Sequence, residues 1–286
     1  MTENIVYLNG NYLPVEQATI SVMDRGFLFG DGVYEVVPVF GNKLLRPDEH
    51  LSRLQNSLDR IGLSNPNLNA DWQKIFSDLL DKNPGDDRAI YLQISRGAYI
   101  KRDLSANKDC APTVFAMVLQ VVPPDIDVLS AGISVITVDD FRWNACDIKS
   151  TSLVANVMLK QQAAQAGVED AILIKDGSVT EGTASNVFVI KGGVIITPPT
   201  SRQLLPGITR DLVIEIAENN AIVVEQREIE EAELFGADEI WMTSSTREIA
   251  PVIKLNDKAV GAGVAGSTWK RMMDLYQQYK QELRNM

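Results

Sequence analysis

The sequence predicts an α+β fold made of two subdomains. Turn dipeptides and short apolar stretches indicate several hairpins, and strands do not alternate strictly with helices as they do in a Rossmann fold. Pro123 and Pro124 interrupt the chain, because prolines stiffen the backbone and end a preceding strand. A chain of 286 residues with 45% apolar content can fill two moderate cores. We therefore expect a smaller N-terminal α/β subdomain over residues 1–121, a linker over 122–125 and a larger C-terminal subdomain over 126–286.

The smaller subdomain is predicted to open with a hairpin that turns at Asn9-Gly10, a dipeptide favoured in tight β-turns. A strand is expected over 33–40, after a glycine-rich segment. Pro47 suits the first turn of a helix, and leucines follow it at helical spacing. The remaining predicted elements are a helix around residues 72–80 and strands over 89–95 and 113–121.

The larger subdomain is predicted to contain strands and three longer helices. Ile133, Val135 and Thr137 alternate as in a strand. A helix that begins near Leu153 should end at Gly167, because glycine accepts the left-handed conformation that closes a helix. The other predicted elements are strands over 171–175, 186–191, 194–197 and 239–243, and helices over 208–219 and 269–283.

Composition and charge exclude several classes of function. A net charge of −11 repels the phosphate backbone, so nucleic acid is not an expected partner. We expect neither export nor a membrane partner, since no apolar run approaches the ~20 residues that cross a bilayer. Two cysteines, Cys110 and Cys146, fit a reducing cytoplasm. His50 is the single histidine, which excludes a multi-histidine metal site, and we expect no metal.

Chemistry must then rest on lysine, carboxylates, hydroxyls or a bound cofactor, and two residues could hold an aromatic cofactor. Lys149 lies between a strand-like stretch and a helix, and a lysine can form a Schiff base when desolvation or a nearby cation keeps it partly neutral. A carboxylate such as Glu181 could keep a pyridine nitrogen protonated. Taken alone, Lys149 could be an ordinary surface lysine, and Glu181 could be an acid in a turn.

Two further features could hold a phosphate group. Gly207 directly precedes the helix predicted over 208–219, and the free N–H groups at a helix start bind anions. Arg53 lies on a predicted helix beside His50, and its planar guanidinium offers paired donors to phosphate. An ordinary helix start and an exposed arginine are the alternative interpretations.

Taken in order, these motifs resemble the class IV aminotransferases, also called fold type IV pyridoxal 5′-phosphate (PLP) enzymes. E-x-x-x-x-N-V-F at 181–188, I-x-T at 195–197 and L-x-G-I-x-R at 205–210 are similar to the family signature with its spacing kept. D-R-G at 24–26 with F-G-D-G-V-Y-E at 29–35 is similar to the N-terminal motif of the family. The resemblance extends over essentially the whole chain, and it implies the two-subdomain fold of that family.

The resemblance implies PLP as cofactor and assigns roles by position. Lys149 would bind the cofactor as a Schiff base and would later carry a proton between substrate and cofactor. Glu181 would pair with the pyridine nitrogen. The complete set of cofactor-binding positions implied is Arg53, Lys149, Glu181, Ser185, Asn186, Ile208, Thr209, Ser244 and Ser245.

The reaction implied is a ping-pong transfer of an amino group from an amino acid to a 2-oxo acid such as 2-oxoglutarate or pyruvate. Members of the family resemble one another in being homodimers whose active sites lie between the two subdomains. We therefore expect amino acid and 2-oxo acid substrates, a homodimer and a cytoplasmic location.

The branch that the chain resembles most is the D-amino-acid transaminases, through D-I-K-S at 147–150 and G-T-A-S-N-V-F at 182–188. Branched-chain L-amino-acid transaminases usually have a tyrosine where this chain has Val154. Typical D-specific members bind the substrate carboxylate with an Arg-x-His pair, of which Arg102 is present whereas Leu104 replaces the histidine. Another cation would have to complete this atypical clamp. The substrate candidates are Tyr34, Val36, Arg25, Arg88, Lys101, Arg102 and Thr246.

Four alternatives stay open at this point. Within the family, the chain could be a branched-chain L-amino-acid transaminase, an (R)-amine transaminase or an aminodeoxychorismate lyase, which uses the same lysine for elimination. A PLP-binding relative without activity belongs to a different class, and the presence of all four cofactor motifs disfavours it. Arg25 and Arg88 could instead make only structural salt bridges.

Overall fold

Two β-sheets organise the chain in a computed structural model that describes residues 4–67, 69–105, 110–122 and 125–286. Contacts divide the chain into two units. The first comprises Met1–Val122, Ile148–Leu153 and Met286, and the second comprises Pro123–Asp147 and Val154–Asn285. Residues 123 and 124 of the predicted linker lie outside the described residues, so the linker remains a prediction.

The sheet of the first unit is antiparallel throughout its described pairings. Its strands are β1 (Ile5–Leu8), β2 (Asn11–Pro14), β3 (Gly32–Phe40), β4 (Lys43–Leu44), β5 (Asp87–Ser95) and β6 (Thr113–Gln120). Their order across the sheet is β2-β1-β6-β5-β3-β4. Strands β3 and β5 keep one register along their whole length, which places Tyr34 opposite Gln93.

The helices of the first unit cover this sheet. They are α1 (Arg25–Phe29), α2 (Pro47–Arg60) and α3 (Asn69–Lys82), besides a short 3-10 helix at Val15–Gln17. Pro47 begins α2 as predicted. Leu51, Leu54 and Leu58 recur every three or four residues and are all buried, so α2 packs one apolar face on β3.

A segment from the second half of the chain, Ile148–Leu153, also belongs to the first unit. Strand β4 pairs with Val39 and Phe40, at the C-terminal end of β3. The N-terminal end of β3, near Gly32, is therefore not covered by β4. The amide of Tyr34 donates to the carbonyl of Lys149 (2.9 Å), and the amide of Thr151 donates to that of Gly32 (3.0 Å). These residues were predicted to lie in the second subdomain. Their contacts place them in the first unit, through a strand-edge pairing that chain order does not reveal.

The sheet of the second unit is mixed. Its strands are β7 (Ile133–Asp139), β8 (Asp170–Lys175), β9 (Ser178–Gly182), β10 (Asn186–Lys191), β11 (Val194–Thr197), β12 (Val224–Gln226), β13 (Glu239–Ser244), β14 (Glu248–Leu255) and β15 (Lys258–Ala259). They follow the order β12-β11-β10-β13-β14-β7-β8-β9, with β15 attached to β14. The pairs β11–β12, β7–β14 and β7–β8 are parallel. The predicted α+β class is confirmed.

Helices of the second unit are α4 (Ile126–Ser130), α5 (Val154–Gln165), α6 (Ile208–Asn219), α7 (Glu231–Leu234) and α8 (Ser267–Asn285). Leu159 and Ala163 of α5 are buried against Ala171 and Leu173 of β8. Helices α6 and α8 contact each other and β13. Within the described ranges, every helix is too short or too polar to cross a membrane.

Candidate functional site

Lys149 is held against β3 by its own backbone. Its carbonyl accepts from Tyr34, and its amide donates to the hydroxyl of Ser57 on α2 (3.2 Å). The half-buried side chain places Nζ 4.3 Å from the centre of the Tyr34 ring. That ring stacks on Tyr91 of β5 at 5.7 Å between centroids. The lysine side chain therefore extends from a fixed point over an aromatic surface.

A buried ion pair lies in the same unit, between β3 and α2. Both carboxylate oxygens of Glu35 accept from Arg53, at 2.8 Å each, and Nδ1 of His50 lies 2.8 Å from one of them. Glu35, Arg53 and His50 are all buried. Burial alone would raise the pKa of Glu35, but the charge and hydrogen bonds of Arg53 outweigh it and hold that pKa well below the ordinary carboxyl range.

Burial lowers the pKa of His50, although the hydrogen bond to Glu35 opposes that change. We assign the proton of the neutral ring to Nδ1, because an ionised Glu35 can only accept. Its buried Nε2 has no hydrogen-bond partner among the described residues. Arg53 was predicted from the sequence and the role of Glu35 was not, although a glutamate inside an apolar strand is itself a sign that a buried cation is near.

Glu181 in the second unit is buried and faces Arg142. One carboxylate oxygen accepts from Arg142 at 2.5 Å, and the other accepts from the amide of Leu205 at 3.0 Å. The same guanidinium makes two bonds, of 2.9 and 2.8 Å, to Asp140. Burial raises the pKa of Glu181, which Arg142 offsets only in part. The sequence analysis missed Arg142 and Asp140, whose spacing of two residues carries no motif.

Asn186 packs closely against the start of α6. Gly207 caps the helix without any side-chain hydrogen bond to the first-turn amides. A Cβ at Gly207 would lie 2.0 Å from Oδ1 of Asn186, so only glycine fits there. Asn186 is fixed in turn by its bond to the carbonyl of Leu205 (2.9 Å). Ile208 and Thr209 are buried, and their position at a helix start favours an anion.

Several hydroxyl groups of the second unit lie near strand ends. Ser185 is buried, and its Oγ has no hydrogen-bond partner among the residues that the structure describes. Ser244 accepts from the amide of Arg247 at 3.3 Å, and half-buried Ser245 follows it in the turn between β13 and β14. An unpartnered buried hydroxyl, a buried carboxylate and an open helix start fit the phosphate and ring nitrogen of PLP.

The structure separates the substrate candidates of the first unit. Tyr34 and Val36 are half-buried and lie on the same face of β3. Arg25 is buried, and it donates to Asp31 (2.8 Å) and to the carbonyls of Asp103 and Leu104. Arg102 is exposed and has its guanidinium 5.1 Å from the ring of Phe29, which also contacts Arg25.

The remaining candidates differ in exposure. Lys101 in the first unit and Thr246 in the second are both exposed. Residues 106–109, which continue the segment that carries Arg102, lie outside the described residues.

Arg88 does not fit the predicted carboxylate-binding role. Only 1% of it is exposed, and its guanidinium donates to the carbonyls of Leu80 (2.9 Å) and Asn83 (2.6 Å) and to the side chain of Asn42. Arg88 pairs with Val39, at the end of β3 away from Tyr34. It therefore closes the C-terminal end of α3, and we correct its assignment to a structural one.

The sequence of this chain is similar to a known protein family and to proteins within it. Residues 32–255 match the family model described as amino-transferase class IV. The chain is 38% identical to a D-alanine aminotransferase of Bacillus licheniformis, with 95% of each chain covered. It is 34% identical to a D-alanine aminotransferase of Staphylococcus aureus (strain COL), over 96% of this chain and 97% of that protein.

Solved structures agree with this family. A branched-chain amino acid aminotransferase from T.th., solved with pyridoxamine 5′-phosphate, superposes with a TM-score of 0.92 at 25% identity, covering 97% of this chain and 94% of that one. A fold IV transaminase from Curtobacterium pusillum gives a TM-score of 0.80 at 26% identity, covering 93% and 92%.

Proposed function

The chain belongs to the class IV aminotransferases, and we propose that it transfers the amino group of a D-amino acid, D-alanine or D-glutamate, to 2-oxoglutarate or pyruvate. The likeness to proteins named D-alanine aminotransferase carries this proposal, since it reaches 38% identity over 95% of the chain. The superposed branched-chain enzyme is 25% identical. The branched-chain enzyme shares the fold at this lower identity, so the fold alone does not decide between D- and L-amino acids.

The enzyme is PLP-dependent, as class IV aminotransferases are, and the bound cofactor supplies an electron sink for the bonds at the substrate α-carbon. We propose that Lys149 binds it covalently. The neutral Nζ of Lys149 would also be the base that takes the α-proton of the substrate. The bonds of its backbone to Tyr34 and Ser57 hold the lysine in place during both tasks.

Glu181 is proposed to pair with the ring nitrogen of the cofactor. Arg142 carries one positive charge and contacts two carboxylates, Asp140 and Glu181, so the group as a whole keeps one negative charge. Burial disfavours that charge, as the raised pKa of Glu181 indicates. A protonated ring nitrogen would compensate the charge, and Glu181 would in turn keep the nitrogen protonated.

The phosphate of the cofactor is proposed to bind the groups that suit an anion. In the first unit this is Arg53, oriented by the two bonds to Glu35. In the second unit the groups are the amides of Ile208 and Thr209, the Thr209 hydroxyl and Ser245. Ser185, Asn186 and Ser244 are proposed to complete the cofactor-binding set.

Substrate handedness is proposed to depend on the loop that carries Arg102. Its exposed guanidinium can bind a carboxylate with two bonds, whereas Leu104 offers no donor. Carboxylate binding should then be weaker by about 1–3 kcal/mol than with a complete Arg-x-His clamp. Lys101 and Thr246 remain proposed substrate contacts, Tyr34 and Val36 are proposed to line the pocket, and Arg25 holds the loop.

We further propose a ping-pong order of substrates, a homodimer and a cytoplasmic location. The two relatives named D-alanine aminotransferase support the substrates. Cys110 and Cys146 are free thiols, which suits a reducing compartment.

A half-reaction screen tests the proposed function. Purified holoenzyme is mixed with D-alanine, D-glutamate or L-leucine without an oxo acid, and loss of the visible cofactor band is followed. We expect both D-amino acids to react faster than L-leucine. Lys149→Ala should lose more than the factor of about 10²–10⁴ that acid–base assistance provides, whereas Lys74→Ala, at an exposed surface lysine, should react normally.

Two results would change the assignment. A faster reaction with L-leucine than with either D-amino acid would favour a branched-chain L-amino-acid transaminase. Retention of a tenth of the activity in Lys149→Ala would remove the lysine from the mechanism. In the same screen, Arg102→Ala should raise the D-alanine concentration needed for half-maximal rate and leave cofactor affinity unchanged.

A further inference from the structure

The turn between β13 and β14 has an unusual residue at its end. Ser244 and Glu248 are register partners, so residues 245–247 form the loop of a hairpin. In hairpin loops built on a type I turn, the residue that ends the turn often lies in the left-handed region, where glycine or asparagine is normally found. Glu248 stands there with φ +58°. A glutamate holds this strained backbone only where its surroundings fix it.

The C-terminal helix supplies that fixation. The Glu248 side chain is buried, and one of its oxygens accepts from Nε2 of Gln277 at 2.6 Å. Its other oxygen forms an ion pair with Lys280, which is buried as well. Both partners belong to α8, and a buried carboxylate requires such partners. Helix α8 therefore holds the end of the turn through the Glu248 side chain.

Arg247, the residue before Glu248 in the turn, is held by strand β8. Arg247 donates to Asp170 of β8 at 2.9 Å, and Asp170 also accepts from Thr183 at 2.5 Å. Within the turn, the amide of Arg247 donates to Ser244. Ser245 thus lies two and three residues before the anchored Arg247 and Glu248, and neither anchor uses the side chain of Ser245.

We propose that Glu248 is a positioning residue for cofactor binding. Held by Lys280 and Gln277, it sets the backbone of the turn so that Ser245 faces the phosphate, without touching the cofactor itself. The inference rests on the proposed function, which assigns Ser245 to the phosphate. It gives the C-terminal helix a role in cofactor affinity.

A comparison of PLP with pyridoxal, which lacks the phosphate, tests this role. The full-length chain is freed of cofactor and titrated with each compound. The double variant Glu248→Gln/Lys280→Met removes both charges together, because removing one would leave the other buried and unpaired. We expect its Kd for PLP to rise roughly tenfold, with the Kd for pyridoxal unchanged. Gln277→Leu, a milder change that keeps the ion pair, should shift the PLP affinity in the same direction.

Two further variants separate the possible results. Lys254→Met/Asp257→Asn removes an ion pair of 2.8 Å between the last residues of β14 and the turn that follows it, and should change neither Kd. Ser245→Ala should weaken PLP but not pyridoxal. If Ser245→Ala does so while the Glu248 and Gln277 variants bind PLP as wild type, the positioning role is wrong and the phosphate assignment stands. If Ser245→Ala leaves PLP binding unchanged, the phosphate assignment fails, and the positioning role fails with it.

Discussion

Glu35 and Glu181 are both buried carboxylates that face an arginine, yet their pKa values move in opposite directions. Arg53 makes two bonds to Glu35, and His50 adds a third donor. Arg142 instead makes two bonds to Asp140 and one to Glu181. The difference lies in how each arginine is shared. Arg142 divides its hydrogen bonds between two carboxylates, so its effect on Glu181 is too small to cancel the rise in pKa that burial causes. Glu35 is therefore suited to orient a cation, and Glu181 is suited to receive one.

Replacement of Glu181 by glutamine tests the second role. The amide is nearly isosteric and can still accept from Leu205, so PLP should stay bound. The half-reaction should slow by about 10²-fold or more, because a neutral partner no longer keeps the ring nitrogen protonated. Stopped-flow measurement of the half-reaction in the fully loaded variant gives the rate. Glu225→Gln, at an exposed glutamate of the same unit, serves as control, and an unchanged rate in Glu181→Gln would contradict the assignment.

Among the structural elements, α6 shows most directly how local geometry supports the proposed phosphate site. Its first turn carries no side-chain cap, and the approach of Asn186 excludes a Cβ at Gly207. Gly207 has an extended backbone with φ −76° and ψ 129°, so its need for glycine comes from space and not from φ. The bare helix start then stays open to an external anion.

Gly207→Ala should therefore weaken cofactor binding. The added methyl group must displace Asn186 or shift the helix start, and we expect the Kd for PLP to rise by about tenfold or more. Gly236→Ala is the matched control, since its Cβ would meet nothing closer than 3.9 Å. Titration of both variants with PLP measures the effect. Equal affinity in the two variants would show that this helix start does not hold the phosphate.

Periodicity and turn chemistry predicted many elements, and the places where they failed have physical causes. Helix α6 has the predicted bounds because its apolar pattern and its glycine start agree. Strand β14 was missed, since Pro251 lies inside it and proline argues against a central strand. The pairing of Ile148–Leu153 with the first unit was missed because it joins residues that are distant in the chain.

The candidate site divides in the same way. Lys149, Arg53 and Glu181 carry motifs that the sequence displays. Glu35 and Arg142 make their ion pairs with residues 18 and 39 positions away. The apolar strand around Glu35 signals a buried cation without identifying Arg53, and Arg142 lies in no motif at all. Arg88 was misjudged because an arginine at a strand start looks the same in the sequence whether it binds a substrate or closes a helix.

At the scale of the whole molecule, acid should destabilise the fold. The pKa values of Glu35, Asp140 and Asp31 are lowered, since paired arginines outweigh the opposing effect of burial. Each such group contributes stability that is present above its unfolded pKa of about 4 and is lost as pH falls through its lower folded pKa. The raised pKa of Glu181 has the opposite effect on the pH dependence of stability. We expect the three groups with lowered pKa values to outweigh it.

We therefore expect the free energy of unfolding to fall between about pH 5 and pH 2. Glu35→Gln should be less stable at neutral pH by about 3–5 kcal/mol, because it leaves Arg53 without its carboxylate. Its pH dependence should be shallower by up to about 1.4 kcal/mol per pH unit. Denaturant titrations at fixed ionic strength measure both quantities, with the exposed Glu218→Gln as control. A slope in Glu35→Gln equal to that of wild type would show that Glu35 is not a source of the acid sensitivity.

Arg25 holds the loop before residue 105 through main-chain oxygens, those of Asp103 and Leu104. Every amino acid has a carbonyl, so this tether does not depend on which side chains the two positions carry. The loop can therefore exchange its side chains while its path is preserved. Leu104, where the resemblance to D-amino-acid transaminases implies a histidine, is the kind of exchange that such a main-chain tether permits. If the proposed substrate role of this loop holds, position 104 is the starting point for redesigning selectivity.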